Sequence, residues 1–368
     1  MQSFLLAATC VLCLAFSSTA DDKPKANPLT AKEMADGWIL LFDGESKFGW
    51  KIDGAAEVKN GELILGGAKT TTATRPTRFA SYDMQMETDG AGSISLRSAD
   101  GSISRVGLKK HPAVVKMTVV GGGERGSFIE NRSSVGPDGV EKVTITAATA
   151  GPSELQIEVA AGETLSIKSM KCRPESLRAL FTGKNLDGWK VNAADTKRMK
   201  SKWDVTKDGE LSLKNGPGDL VSEKEFANFV LQFECKTLGA GLNSGIFFRC
   251  IPGQYQNGYE AQIQNTFLNN DRTKPKDFGT GAIYRRVAAR KVVSNDNEWF
   301  TMTVVADGKH FATWVNGYQT VDWSDDRKAN DNPRQGFRAA KGPLSIQGHD
   351  PTTNLLFRNI RIAELPEK

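Results

Sequence analysis

The sequence predicts an all-β chain made of two tandem sandwiches, and three observations carry that prediction. Segments of four to nine residues alternate apolar with polar side chains and are rich in Val, Ile, Phe, Thr and Trp, the mark of half-buried strands. Turn-forming pairs such as Asn60-Gly61, Asp208-Gly209, Asp307-Gly308 and Asn316-Gly317 separate them. Helical periodicity is scarce, with one short candidate near Thr30 to Asp36. A sheet with one apolar face needs a second sheet to bury it, so many short strands with regular turns imply sandwiches.

The tandem arrangement comes from a repeat. Leu41-Phe42-Asp43-Gly44 with Gly49-Trp50 recurs, at the same internal spacing, as Leu180-Phe181-Thr182-Gly183 with Gly188-Trp189. Asn60-Gly61-Glu62-Leu63 is then matched by Asp208-Gly209-Glu210-Leu211, and the strand from Phe79 to Glu87 by that from Phe226 to Glu234. Each copy goes on to a Gly-Ala-Gly and a strand ending in Arg97 or Arg249. The expected organisation is a leader at 1–20, an N-terminal segment at 21–36, a first sandwich at 37–173 and a second at 178–364. The join at Arg173-Pro174-Glu175-Ser176 is short, so the two should pack together, with Trp50 and Trp189 in their cores.

Phe4 to Phe16 is apolar and is followed by Ser18-Thr19-Ala20, which reads as a secretory signal peptide cut after Ala20 and places the chain outside the cytoplasm, periplasmic or secreted. No other segment reaches the roughly 18 apolar residues of a membrane-spanning helix. Past Ala20 only Cys172, Cys235 and Cys250 remain, too few for a disulfide scaffold; Cys235 and Cys250 either bridge or stay as buried thiols. The net charge of +5 is spread along the chain. Its one dense basic stretch, Arg285-Arg286 through Arg290-Lys291, reads as a solvated loop rather than a nucleic-acid surface.

Three strands of the second copy carry polar residues with a period of two, which sets them on one sheet face. Asn243 and Arg249 share a face of Asn243-Ser244-Gly245-Ile246-Phe247-Phe248-Arg249; Glu260, Gln262 and Gln264 share one, and Ser345, Gln347 and His349 another. Such alternation also arises on any solvated sheet face. If the three faces converge, one carboxylate, one imidazole, one guanidinium and several amides line a groove suited to sugar hydroxyls. The first copy lacks the set: the counterpart of the Glu260 strand falls near Arg105 to Lys109 without a carboxylate, and no His stands near its last strand at Ser166-Ile167-Lys168.

At these residues the second copy resembles the 3-keto-disaccharide hydrolase family, also described as 3-keto-glucoside lyase and 3-keto-2-hydroxy-glucal hydratase, with the first copy a degenerate version. The resemblance runs in order through Asn243 to Arg249, Gly258-Tyr259-Glu260-Ala261-Gln262-Ile263, Thr280-Gly281-Ala282-Ile283-Tyr284, Asn297-Glu298-Trp299, Gly342 to His349 and Phe357-Arg358-Asn359-Ile360-Arg361-Ile362. It implies concanavalin-like jelly rolls and cleavage of a glucoside already oxidised at C3. The C3 carbonyl acidifies the C2 proton, so one base is enough for loss of the group at C1, and water then adds there. On that basis Glu260 is the base, His349 the acid for the leaving oxygen, and Arg249 the partner of the enolate, while Asn243, Gln262, Gln347 and Tyr284 orient hydroxyls. No His/Cys cluster has metal-ligand spacing; if a divalent ion takes part, Glu260 and His349 are its expected ligands. The expected partner is a small-molecule or oligosaccharide substrate. The rivals are a non-catalytic carbohydrate-binding protein and a surface-assembly protein.

Overall fold

The computed structural model describes residues 29–122 and 128–366. The expected leader at 1–20 lies outside the described residues. The predicted helix is present at Ala31–Ala35. The Thr30 hydroxyl accepts from the Glu33 amide while the Glu33 carboxylate accepts from the Thr30 amide, a reciprocal cap that lets so short a helix form.

The rest is four sheets, two in each half. In the first half the larger sheet runs Phe128–Val135, Glu141–Thr149, Ala113–Gly121, Tyr82–Gly90, Thr164–Pro174, Glu62–Gly66 and Ala56–Lys59, with Ile39–Phe42 also paired to Thr164–Pro174. The smaller sheet runs Lys51–Asp53, Thr71–Phe79, Ser153–Val159, Gly92–Arg97 and Ile103–Leu108. In the second half the larger sheet runs Lys202–Val205, Leu211–Lys214, Asn354–Glu364, Phe229–Thr237, Phe300–Asp307, His310–Val315 and Tyr318–Ser324, with Arg178–Ala179 on Asn354–Glu364. The smaller runs Trp189–Val191, Gly218–Phe226, Gly342–Gly348, Ser244–Phe248 and Tyr259–Ile263. Taken in chain order, the two small sheets are wound alike, and Ile103–Leu108 sits where the sequence reading put the counterpart of Tyr259–Ile263. The large sheets differ at one edge: Glu141–Thr149 runs parallel to Ala113–Gly121 with Phe128–Val135 outside it, where the second half has an antiparallel meander in chain order.

The repeated tryptophans make the same bond. The Trp50 indole donates to the Leu41 carbonyl at 2.7 Å and the Trp189 indole to the Leu180 carbonyl at 3.0 Å, so each pins its Gly-Trp loop to the strand that opens the half. One expected correspondence is corrected. The strand that takes the place of Gly342–Gly348 in the first half is Ser153–Val159, whereas Ser166 to Lys168 belongs to the long strand matching Asn354–Glu364.

The central strands of the second half's large sheet are buried on both faces. Leu231, Val304, Phe311 and Val315 pack into that half's own core, while their neighbours Val230, Val305, Ala312 and Trp314 pack into the core of the first half. The outcome is near-continuous burial along Phe229–Thr237 and Phe300–Asp307 in place of simple alternation. Polar ties fix the contact: the Trp314 indole donates to the Leu40 carbonyl at 2.9 Å, Gln232 to the Gly37 carbonyl at 2.9 Å, and Arg75 to Gln319 at 2.8 Å. Arg78 makes a two-pronged pair with Asp307, at 2.7 and 2.8 Å.

Cys235 and Cys250 do not bridge. All three described cysteines are free and buried, with Cys235 in the large sheet and Cys250 just beyond the end of Ser244–Phe248 in the small one.

Asp307→Ala should lower stability by about 3 kcal/mol, the toll of leaving a buried guanidinium without its carboxylate. Denaturant unfolding of the two proteins measures it.

Candidate functional site

The outer face of the small second sheet is where the polar residues meet. Backbone pairing puts Asp219 opposite Gln347, Gly245 opposite Gln262, and Phe247 opposite both Ser345 and Glu260. Because side chains alternate along a strand, all of these stand on one face. That face opens into a cavity of about 470 Å3 lined by Asn243, Phe247, Glu260, Gln262, Gln347 and Tyr284, with His349 at its rim. Six of the seven residues selected from the sequence therefore come together.

Glu260 is the chemical centre of this cavity. It is buried, no other group among the described residues hydrogen-bonds its carboxyl, and its acidity is weakened to a pKa of about 8. Burial is the main cause, followed by the charges of Asp277 and Asp219; Arg285 and Arg334 pull the other way. The neighbouring Gly245 makes the position available. A Cβ there would lie 2.5 Å from Glu260 Oε1, so only glycine lets the carboxyl lie across the adjacent strand.

The amides complete the floor. Asn243 donates to Asp277 at 2.7 Å and Gln262 to the Asp277 carbonyl at 3.1 Å, which orients both side chains. The Gln262 and Gln347 Oε1 atoms are buried and have no donor among the described residues. Buried acceptors are nearly always satisfied, so these two require donors from whatever fills the cavity, and hydroxyl groups supply them. Asp219, fully buried, is held by Gln256 at 3.0 Å and, through burial, pushed up to about 6.

Arg249 is a correction. It is fully buried away from the cavity, donating to the Ala227 and Arg338 carbonyls at 2.7 and 2.9 Å and to Asn228 at 3.0 Å, with its guanidinium 5.1 Å from the Phe311 ring. The strand stops at Phe248 and Arg249 has φ of 49°, so the alternation that carries Asn243 and Phe247 outward is broken one residue too soon. It ties loops together and meets no substrate. His349, just past its strand, is exposed and has Nδ1 2.7 Å from Asp350.

Asp219, Asp277, Arg198 and Arg334 escaped the sequence reading, and Arg285 and Arg286, read as a solvated loop, line the cavity instead. Asp219 had a signal, an acid within the strand segment Gly218-Asp219-Leu220-Val221; the others sit in loops with no period to read. No three His, Cys, Asp or Glu side chains gather to hold a metal ion among the described residues, so Glu260 and His349 gain no third ligand of those types. The first half has the same face with other chemistry: Arg105 stands opposite Ser95, as Glu260 does opposite Phe247, and is closed by an ion pair with Glu158.

The acidity of Glu260 has a consequence for stability. A carboxyl whose folded pKa is raised binds its proton more tightly when folded, so the stability it lends is complete below its ordinary value of 4.5 and is lost as pH rises through about 8. Between pH 5 and 9 wild type should lose stability on the order of a few kcal/mol that Glu260→Gln retains. Paired thermal melts across that range check it.

Among the described residues no helix is long and apolar enough to cross a membrane. No curated protein sequence matches the chain. Among solved structures it is similar to one described as a "putative glycosyl hydrolase" from Parabacteroides distasonis, at 23% identity and TM-score 0.42, covering 52% of this chain and 94% of that one. A second structure so described, from the same organism, has 25% identity and TM-score 0.40 over 52% of this chain and all of that one. A carbohydrate-binding module from Bacillus subtilis follows at 15% identity and TM-score 0.34, covering 49% and 97%. The sequence from 176 to 363, half of the chain and the part that holds the cavity, matches the 3-keto-alpha-glucoside-1,2-lyase-like domain, and the chain belongs to that family.

Proposed function

We propose that the second half is a carbohydrate-active enzyme that cleaves or hydrates 3-keto-glucosides, with Glu260 as the base. The observation that carries this reading is a single carboxyl, buried and without internal partners, facing amide acceptors that lack donors. A simple glycosidase needs two carboxyl groups flanking the bond. Here Asp219 and Asp277 are taken up by Gln256, Asn243 and Gln262, and Glu260 is the one acid lining the cavity among the described residues.

The chemistry needs no second acid on the ring. Glu260 takes the C2 proton, and the electron pair moves into an enolate on the C3 oxygen. Return of that pair to C3=O forms C1=C2 and breaks the bond from C1 to the leaving oxygen, which gains a proton from His349. Water then adds across C1=C2, its oxygen to C1 and its proton to C2, giving the 3-keto sugar. With Arg249 in the core, the positive charge beside the enolate falls to a guanidinium of the cavity wall. Burial serves the base directly, since a weakened acid is a stronger proton acceptor. A binding module without chemistry has no use for such a carboxyl.

With a 3-keto-glucoside as substrate, kcat/KM should rise with pH through about 8 as Glu260 loses its proton. Glu260→Gln should cut kcat by about 10²–10⁴-fold with little change in binding, while His111→Ala, exposed in the first half, leaves the rate alone. Glu260→Gln protein with full activity would return the site to the sugar-binding reading.

Gly245→Ala isolates position from identity. Its Cβ would displace the Glu260 carboxyl, so kcat/KM should fall roughly 100-fold, with a change in melting temperature far smaller than a core substitution causes. Steady-state kinetics and a thermal melt on one preparation give both numbers.

A further inference from the structure

The basic stretch that reads as one solvated loop is two things in the fold. Arg290 and Lys291 turn to the first half and pair with Asp43 and Glu45. Arg285 and Arg286 turn the other way and line the cavity. Arg198, after a 3-10 turn, and Arg334, from the loop before Phe337, join them there, so guanidiniums from three separate segments meet around one hollow.

Their partners are unusual. Arg198 has an acid beside it, Asp195, and lies 4.4 Å from the Tyr255 ring. None of Arg285, Arg286 and Arg334 has an acidic partner among the described residues. Arg286 donates to the Pro333 and Arg334 carbonyls and Arg334 to the Gln256 carbonyl, bonds that lock the loops together and leave the charge uncancelled. Arg285 lies 5.3 Å from the Tyr284 ring, stacked rather than paired. The one acid of the cavity wall, Glu260, is largely protonated at neutral pH, so it does not balance them. An enolate is one oxyanion and uses one of these three guanidiniums; two remain.

We propose that this rim binds an anionic group of the saccharide, a carboxylate or a sulfate ester carried by the sugar or its aglycone, which makes the substrate an acidic glycoside. Planar guanidiniums held by aromatic faces and backbone carbonyls are preorganised for such oxygens, and a cavity of about 470 Å3 admits a sugar unit or two rather than a polyanion. The proposal rests on the reading of the second half as a glycoside-processing site, and its test does not depend on turnover.

The test is calorimetric titration of the full chain with unoxidised methyl glucoside, methyl glucuronide and a methyl glucoside bearing a sulfate ester. At least one anionic ligand should bind about tenfold more tightly than the neutral one, the gain of a single charge-assisted pair, and the advantage should shrink with added salt. Arg285→Gln and Arg334→Gln, both at exposed positions, should each reduce that advantage, and the double variant should erase it without weakening the neutral sugar. Comparison of the two anionic arms tells a carboxylate site from a sulfate site. Equal binding of all three ligands, no binding of either anion, or an advantage that survives both substitutions in a protein of unchanged melting temperature would overturn the proposal. Anion binding without turnover of any 3-keto-glucoside would instead overturn the proposed reaction and leave the anionic site standing.

Discussion

The central strands of the second half's large sheet, Phe229–Thr237, Phe300–Asp307 and His310–Val315, face water on neither side, and the rest of the molecule is arranged around that constraint. Their inward residues, Leu231, Val304, Phe311 and Val315, are covered by the small sheet; their outward ones, Val230, Val305, Ala312 and Trp314, are covered by the first half. An apolar sheet face of this kind exposed to solvent is a large hydrophobic patch, so the first half is a structural requirement of the second whatever else it does. The site, on the far side of the small sheet, is left free of the first half altogether: every residue lining the cavity comes from the second.

That layering places chemistry and support at opposite ends. In the proposed role of base Glu260 needs a dry floor, since the carboxyl gains proton affinity only while water is kept from it. The floor is backed by the stack Phe248, Tyr259 and Phe311, whose ring centroids lie 4.7 to 5.6 Å apart and which ties two strands of the small sheet to the large one. Arg249 belongs to this support, its guanidinium set against the Phe311 ring instead of lining the cavity.

Period-two alternation was enough to bring Asn243, Glu260, Gln262 and Gln347 to one face, because a strand leaves a side chain only two directions. It failed at Arg249 for the same reason, since one residue with positive φ beyond Phe248 ends the pattern and nothing in Phe247-Phe248-Arg249 announces it. The winding of the small sheets was legible in the repeated Gly-Trp and turn motifs, whereas the place of Ser153–Val159 was not, since its Leu155, Ile157 and Val159 resemble any other strand of the first half. The arginines around the cavity come from loops, where sequence distance says little about distance in space. Double coverage of a sheet was hidden too: a continuous apolar run reads alike whether a sheet or another domain lies on it.

The three described thiols, all buried, bear on how the fold meets an oxidant. Burial pushes the thiol of Cys172 up to about 12 and raises those of Cys235 and Cys250 as well, so none offers the thiolate through which oxidants and disulfides attack. Native packing is thus a redox shield that needs no cross-link. Its weakness lies in the moment of unfolding: in an oxidising medium these three cysteines would be exposed together, and wrong bridges then turn a reversible melt into a permanent one.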